Sequence, residues 1–211
     1  MYTSYKWFKI KLSTLLINQI QHIVFFITLS LPAHVFATPL LAFIEFGGHS
    51  GGDSLPNEEM AGPREDEVKA GGLVSFGAGL YVPVSESIEL IPFLGLKRDY
   101  SLIRNAFFDG KDHATWSVTV LNMSVAYKTE NFKYSVGVTH HKSPELVSKG
   151  ETETTTWKFN DATGSIYQID YILNDNSTLG LRYEKITYDA TGFHPVNGDN
   201  FGLILRIGLD I

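Results

Sequence analysis

Eight stretches of the chain alternate in polarity residue by residue: Leu40 to Gly48, Gly71 to Val82, Ile88 to Asp99, Thr115 to Tyr127, Phe132 to His141, Gly164 to Leu173, Thr178 to Tyr188 and Asn200 to Ile211. A period of two puts successive side chains on opposite faces of a β-strand. No helical period competes with it over a comparable length, and no internal repeat or low-complexity block is present. The connections carry a second regularity. They run long (HSGGDSLPNEEMAGPREDEVKA), short (PVSES), long (YSLIRNAFFDGKDHA), short (KTEN), long (KSPELVSKGETETTTWKFNDAT), short (NDNS) and medium (DATGFHPVNGD). Short turns of Asn, Asp and Ser favour antiparallel hairpins. Strict alternation then gathers every long connection at one end of the sheet. The expected fold is all-β: eight antiparallel strands in an up-and-down barrel.

The 211 residues have room for such a domain, and the absence of cysteine means that no disulfide supports it. The first 37 residues read as a separate element. Lys6, Lys9 and Lys11 precede the apolar run Ile23 to Leu31, followed by Pro32 and the small-residue pattern Val35-Phe36-Ala37. This is the layout of a cleavable export signal, with the cut expected between Ala37 and Thr38. The apolar run is too short for a helix that crosses a bilayer, which needs about 20 residues. Residues 38 to 211 form the expected barrel domain. They hold 14 basic and 23 acidic residues with no clustered basic face, which argues against a nucleic-acid partner.

Alternation alone does not separate a soluble barrel with an apolar inside from a membrane barrel with an apolar outside. The opposite face decides. In the second stretch Val74, Phe76, Ala78, Leu80 and Val82 oppose Leu73, Ser75, Gly77, Gly79 and Tyr81. Water does not require small residues, but the lumen of eight strands is only just wide enough for side chains. The apolar set is therefore assigned outward, and the same holds for sets such as Leu121, Met123, Val125, Tyr127 and Leu179, Leu181, Tyr183. These faces carry no charge, as a lipid-facing band requires. Tyr127, Phe132, Tyr134 and Tyr171 lie near the short turns, and Phe46, Tyr167 and Tyr183 near the long loops, as two aromatic girdles would.

Over Leu40 to Ile211 the chain resembles the small outer-membrane β-barrel proteins of Gram-negative bacteria, the OmpA-barrel, OmpX and OmpW-like group. LGLRYEKITYD followed by FGLILRIGLDI carries most of the likeness, the last strand resembling the assembly signal of such barrels. Ile211 stands where that group usually has an aromatic residue. The resemblance implies a transmembrane barrel in the outer membrane, lipid and lipopolysaccharide as surroundings, the barrel-assembly machinery as a partner, and a monomer. It implies no cofactor.

The inward faces hold Glu45, Glu89, Lys97, Asp170, Arg182, Glu184, Arg206 and Asp210, with Gln168 among them. Charges in a narrow lumen must pair, and Glu45, Asp170 and Glu184 are expected to sit among Arg182 and Arg206. Such a network either plugs the lumen or selects ions in a narrow pore. An enzyme needs a nucleophile and a base. His141, Ser143 and Glu153 faintly resemble the His-x-Ser and downstream Glu of PagL-type lipid A deacylases, where they would be base, nucleophile and orienting acid. His49, His113, His140, His141 and His194 are read as lying at the loop end, where clustered imidazoles would bind a metal such as zinc. Asp53, Glu58, Glu59, Glu65, Asp66 and Glu67 make the first long connection acidic. The preferred reading is a barrel without catalytic activity that acts in envelope structure or surface interaction through its long loops. A lipid A enzyme, a narrow solute channel and a soluble lipocalin-like carrier are the alternatives.

Overall fold

The computed structural model describes residues 40–55, 68–100, 113–149, 154–189 and 194–209. The expected export signal (residues 1–37), Glu58, Glu59, Glu65, Asp66, Glu67, Glu153, Asp210, Ile211 and the side chain of His113 lie outside the described residues. In chain order the strands are β1 (Leu41–Gly51), β2 (Ser54–Leu55), β3 (Val68–Lys69), β4 (Val74–Pro83), β5 (Ile88–Tyr100), β6 (His113–Lys128), β7 (Phe132–Lys149), β8 (Thr154–Lys158), β9 (Ala162–Asn174), β10 (Ser177–Lys185), β11 (Thr187–Tyr188), β12 (Val196–Asn197) and β13 (Asn200–Leu209).

Eight of these close a ring. β1 pairs with β4, β4 with β5, β5 with β6, β6 with β7, β7 with β9, β9 with β10 and β10 with β13, and β13 returns to β1, every pair antiparallel. Closure removes the free edges that an open sheet would present. The register fixes which residues share a height: Glu45 lies opposite Arg206 on β13 and Gly77 on β4. Gly47 is a close-approach position. A Cβ there would collide with Ser75 Oγ and lie 2.7 Å from His49 Nε2, so only glycine leaves room for those side chains inside.

The assignment of faces follows the alternation. Leu181 and Phe201 are 69% and 68% exposed, whereas Glu45, Asp170 and Glu184 are fully buried. The chain turns its apolar faces outward and its charges inward.

The long connections are more structured than their composition suggests. The fifth alternating stretch was expected to end at His141, yet β7 continues to Lys149 and pairs there with β8. The sequence Ser143-Pro144 hid this continuation. Both residues are absorbed by a bulge where β7 shifts register against Ser117 to Thr119. Ser143 has φ 51° and its N–H donates to Asp161 Oδ1 at 2.8 Å, while Pro144 accepts from Phe159 N–H at 2.9 Å. The seventh stretch was expected to run to Tyr188. Instead β10 ends at Lys185, and Thr187 and Tyr188 leave the barrel to pair with β12.

Two apolar clusters occupy the interior. Phe43, Tyr81, Ile91, Phe93, Val118, Val120 and Ala126 form one, in which the Phe43 and Tyr81 rings lie 4.6 Å apart. The other lies at the long-loop end and is described with the site it covers.

Candidate functional site: a charged lumen under a loop cap

The lumen is organised in layers that follow from strand register. Nearest the short turns, Lys133 donates to Glu89 Oε2 at 2.8 Å and its Nζ stands 3.7 Å from the centroid of the Tyr81 ring. In the middle layer Glu45 Oε2 accepts from Arg182 Nη2 at 2.6 Å and from Arg206 Nε at 2.8 Å. Arg206 also reaches Asp170 at 3.4 Å, and Gln168 accepts from Arg182 Nε at 2.7 Å while donating to Asp170 at 2.5 Å. The guanidinium of Arg206 lies 5.0 Å from the Phe43 ring. Each of these guanidinium groups thus meets a carboxylate and an aromatic or amide neighbour, which offsets part of the cost of removing it from water.

Glu184 does not join the arginine layer. It sits two residues further along β10 than Arg182, about 7 Å nearer the loops, where Lys97 Nζ donates to its Oε1 at 2.9 Å. Asn200 Nδ2 donates to the same oxygen at 3.2 Å, and His141 Nε2 lies 3.3 Å from it. Asn200 Oδ1 accepts from His49 Nδ1 at 3.1 Å, and His49 Nε2 lies 2.8 Å from Ser75 Oγ. Ser75, His49, Asn200 and Glu184 thus follow one another in one buried hydrogen-bonded chain.

His49 and His141 lie at the loop end of the lumen, buried inside the barrel and not in the outer loops. Their phase explains it, since each continues an inward set: Phe43, Glu45, Gly47, His49 and Lys133, Ser135, Gly137, Thr139, His141. His140 points outward beside Thr163 and Asp161, and His194 is exposed. Among the described residues no group of His, Asp or Glu is arranged to hold a metal ion. The proposed hydrolytic residues also occupy unlike places: His141 is buried against Tyr188, whereas Ser143 is exposed on the bulge.

Above the Glu184 layer the inside becomes apolar. Leu55, Val68, Ala70, Ala114, Trp116, Leu146, Phe159, Ala162, Ile186, Tyr188 and Val196 form one buried cluster. They come from β2, β3, the loop ends of β6 and β7, the segment before β9, β11 and β12, so described parts of the long connections pack together with the strand ends. Trp116 is its centre, with the Phe159 and Tyr188 rings each 5.1 Å away at steep angles. Tyr188 ties the cap to the layer below: its hydroxyl lies 2.6 Å from His141 Nδ1, and burial holds its pKa well above the usual tyrosine range. Composition gave little sign of this cap, because its members are scattered singly among polar loop residues.

The exterior is the inverse of the interior. Tyr134, Ile169, Leu181 and Leu203 stand side by side across four strands, all exposed. Aromatic groups flank that belt: Phe132 and Tyr171 are 5.4 Å apart near the short turns, and Tyr183 and Phe201 are 4.7 Å apart nearer the loops. A surface of this kind is stable only against hydrocarbon. The chain is an eight-stranded transmembrane β-barrel.

No protein-family model and no curated protein matches the sequence. Solved structures similar to it include Ail, the attachment invasion locus protein of Yersinia pestis, with a TM-score of 0.48 and 9% identity over 80% of this chain and 95% of that one. Neisserial surface protein A gives 0.49 and 8% over 82% and 97%. OprH of P. aeruginosa gives 0.45 and 13% over 82% and 100%.

The belt makes a direct prediction. Leu181 lies mid-strand and faces outward, so Leu181→Arg should weaken folding into bilayers by about 2–4 kcal/mol. Urea titration of the barrel in lipid vesicles measures it. An unchanged midpoint would mean that this face meets water.

Proposed function

We propose that the chain is an outer-membrane protein of a Gram-negative cell without catalytic activity, serving envelope structure or surface interaction through a folded outer cap. The observation that carries this reading is the apolar cluster around Trp116, which joins described parts of the long connections to the strand ends above a lumen of paired charges. Such a body presents a fixed shape at the surface, and fixed shape lowers the ordering cost of binding a partner. The membrane belt supports lipid and lipopolysaccharide as its surroundings. The first 37 residues act in this reading as the removable export signal, and the barrel is inserted as a monomer by the barrel-assembly machinery. The network of Glu45, Lys97, Asp170, Arg182, Glu184 and Arg206 serves as a structural plug, because each cation is held by a carboxylate and so does not act as a free selectivity charge.

Fractionation of expressing cells tests the location, with heat-modifiable migration on a gel as the sign of a closed barrel. Recovery in the outer membrane is expected, and recovery in the soluble periplasm would sink the reading. For the absence of catalysis, intact-mass profiles of lipid A should be identical in cells carrying the native chain, Ser143→Ala or no protein. Loss of an acyl chain that depends on Ser143 would establish the enzyme instead. Planar-bilayer recordings should show no stable conductance.

A further inference from the structure

A groove crosses the lipid-facing belt. Outward residues form rows that run from strand to strand, and between two such rows lies an apolar trough of about 890 Å³. One rail is Tyr167, Tyr183 and Phe201, whose rings follow one another at 6.3 and 4.7 Å. The other is Ile169, Leu181 and Leu203, partnered across the same three strands. The trough begins between Tyr134 and Val136 on β7 and ends between Gly48 and Ser50 on β1. Four strand spacings separate those ends, about 19 Å.

The register gives the trough a direction. Followed from partner to partner, the row that holds Leu181 starts at Ile88, beside the short turn before β5, and after one circuit returns to β5 at Arg98, close to the loops. The trough therefore climbs from the middle of the belt to its loop-side margin as it nears β1.

Gly48 stands at that upper end, exposed on the exterior. Among the described residues it is the one glycine at which an added Cβ would meet no atom within 4 Å. No neighbour in the protein demands glycine there, yet glycine weakens a strand, and its presence inside one marks a place where another molecule or backbone approaches closely. Two strands further along the same row, about 10 Å away, Arg98 is exposed with its Nη1 donating to the Tyr100 hydroxyl at 2.7 Å.

The geometry points to a binding site for one glycerophospholipid, with an acyl chain lying along the trough and over Gly48 and the phosphate on Arg98. A narrow apolar trough that opens into the bilayer suits a methylene chain, whereas the convex wall of a second barrel does not enter it. The span from Gly48 to Arg98 is covered by a glycerol linker and the arginine side chain together. One guanidinium matches one phosphodiester. Lipid A, with several chains and separate phosphates, needs more than one trough and one arginine.

Native mass spectrometry tests the site. Barrels are folded in vesicles of phosphatidylethanolamine and phosphatidylglycerol that contain lipid A, checked by heat-modifiable migration, released into mild detergent and weighed intact. The native barrel should carry one glycerophospholipid. Gly48→Phe places a side chain in the open space at the head of the trough and should lower retention by about tenfold or more, since displacing even two methylenes weakens binding by such a factor. Ala42→Phe, on the exterior of β1 near the short turns, should retain as much as the native chain, and Arg98→Gln should retain less. A native barrel without bound lipid, equal retention by Gly48→Phe and Ala42→Phe, or lipid A in place of the glycerophospholipid would overturn the site. If Gly48→Phe does not fold, Arg98→Gln decides: reduced retention supports the assignment, and unchanged retention rejects it.

Discussion

Glu45→Leu should be the most damaging single substitution inside the barrel. Glu45 Oε2 is the shared acceptor for Arg182 at 2.6 Å and Arg206 at 2.8 Å, and its side chain is completely buried. Removing it leaves a guanidinium pair facing itself in a space without bulk water, and breaking a buried ionic group in this way costs about 3–5 kcal/mol. Arg206 retains Asp170, at the longer distance of 3.4 Å, so the loss falls mainly on Arg182. Adding Arg182→Met removes the stranded charge and should recover part of the loss, because the two positions are coupled. Urea unfolding in lipid vesicles reads both. A loss below about 1 kcal/mol would show that the middle layer is solvated like a surface pair.

Trp116→Ala should act at the opposite end of the molecule and leave the barrel standing. The indole is fully buried between Phe159 and Tyr188, and emptying such a site costs about 3–5 kcal/mol. That energy holds the long connections to one another, whereas the membrane strands are held by their own ladders. The expected result is rapid proteolysis of the outer loops with heat-modifiable migration retained. If the whole barrel unfolds together, the cap is not a separable unit. If loop cleavage is unchanged, the apolar cluster does not hold the loops.

The faces of the barrel strands were legible in the sequence because a closed barrel leaves each residue only two environments. Period two fixes membership of a face, and the Gly and Ser opposite Phe76 and Leu80 fix which face is inside. Lys133, His49 and His141 belonged to inward sets by the same rule. Each lies near a strand end, where polar loop composition masks the phase of the strand. Glu184 was placed in the right compartment but in the wrong layer, since pairing partners depend on height along β10 as well as on orientation. The cap was not legible: Leu55, Val68, Trp116, Leu146 and Tyr188 are distant in sequence and show no common period. The bulge at Ser143 and Pro144 was hidden for a related reason, because proline usually ends a strand and only local backbone geometry tells when it does not.

Which face of each strand meets lipid is measured most cleanly on β13. Single cysteines at Leu203, Ile204, Arg206 and Ile207, each carrying a spin label in a reconstituted bilayer, report contact with lipid-dissolved oxygen. Leu203 and Ile207 are exposed on the exterior, and Ile204 and Arg206 are buried inside. High oxygen contact at Leu203 and Ile207 with low contact at Ile204 and Arg206 is the predicted result. The reverse order, or equal contact at all four positions, would contradict an apolar exterior around a charged lumen.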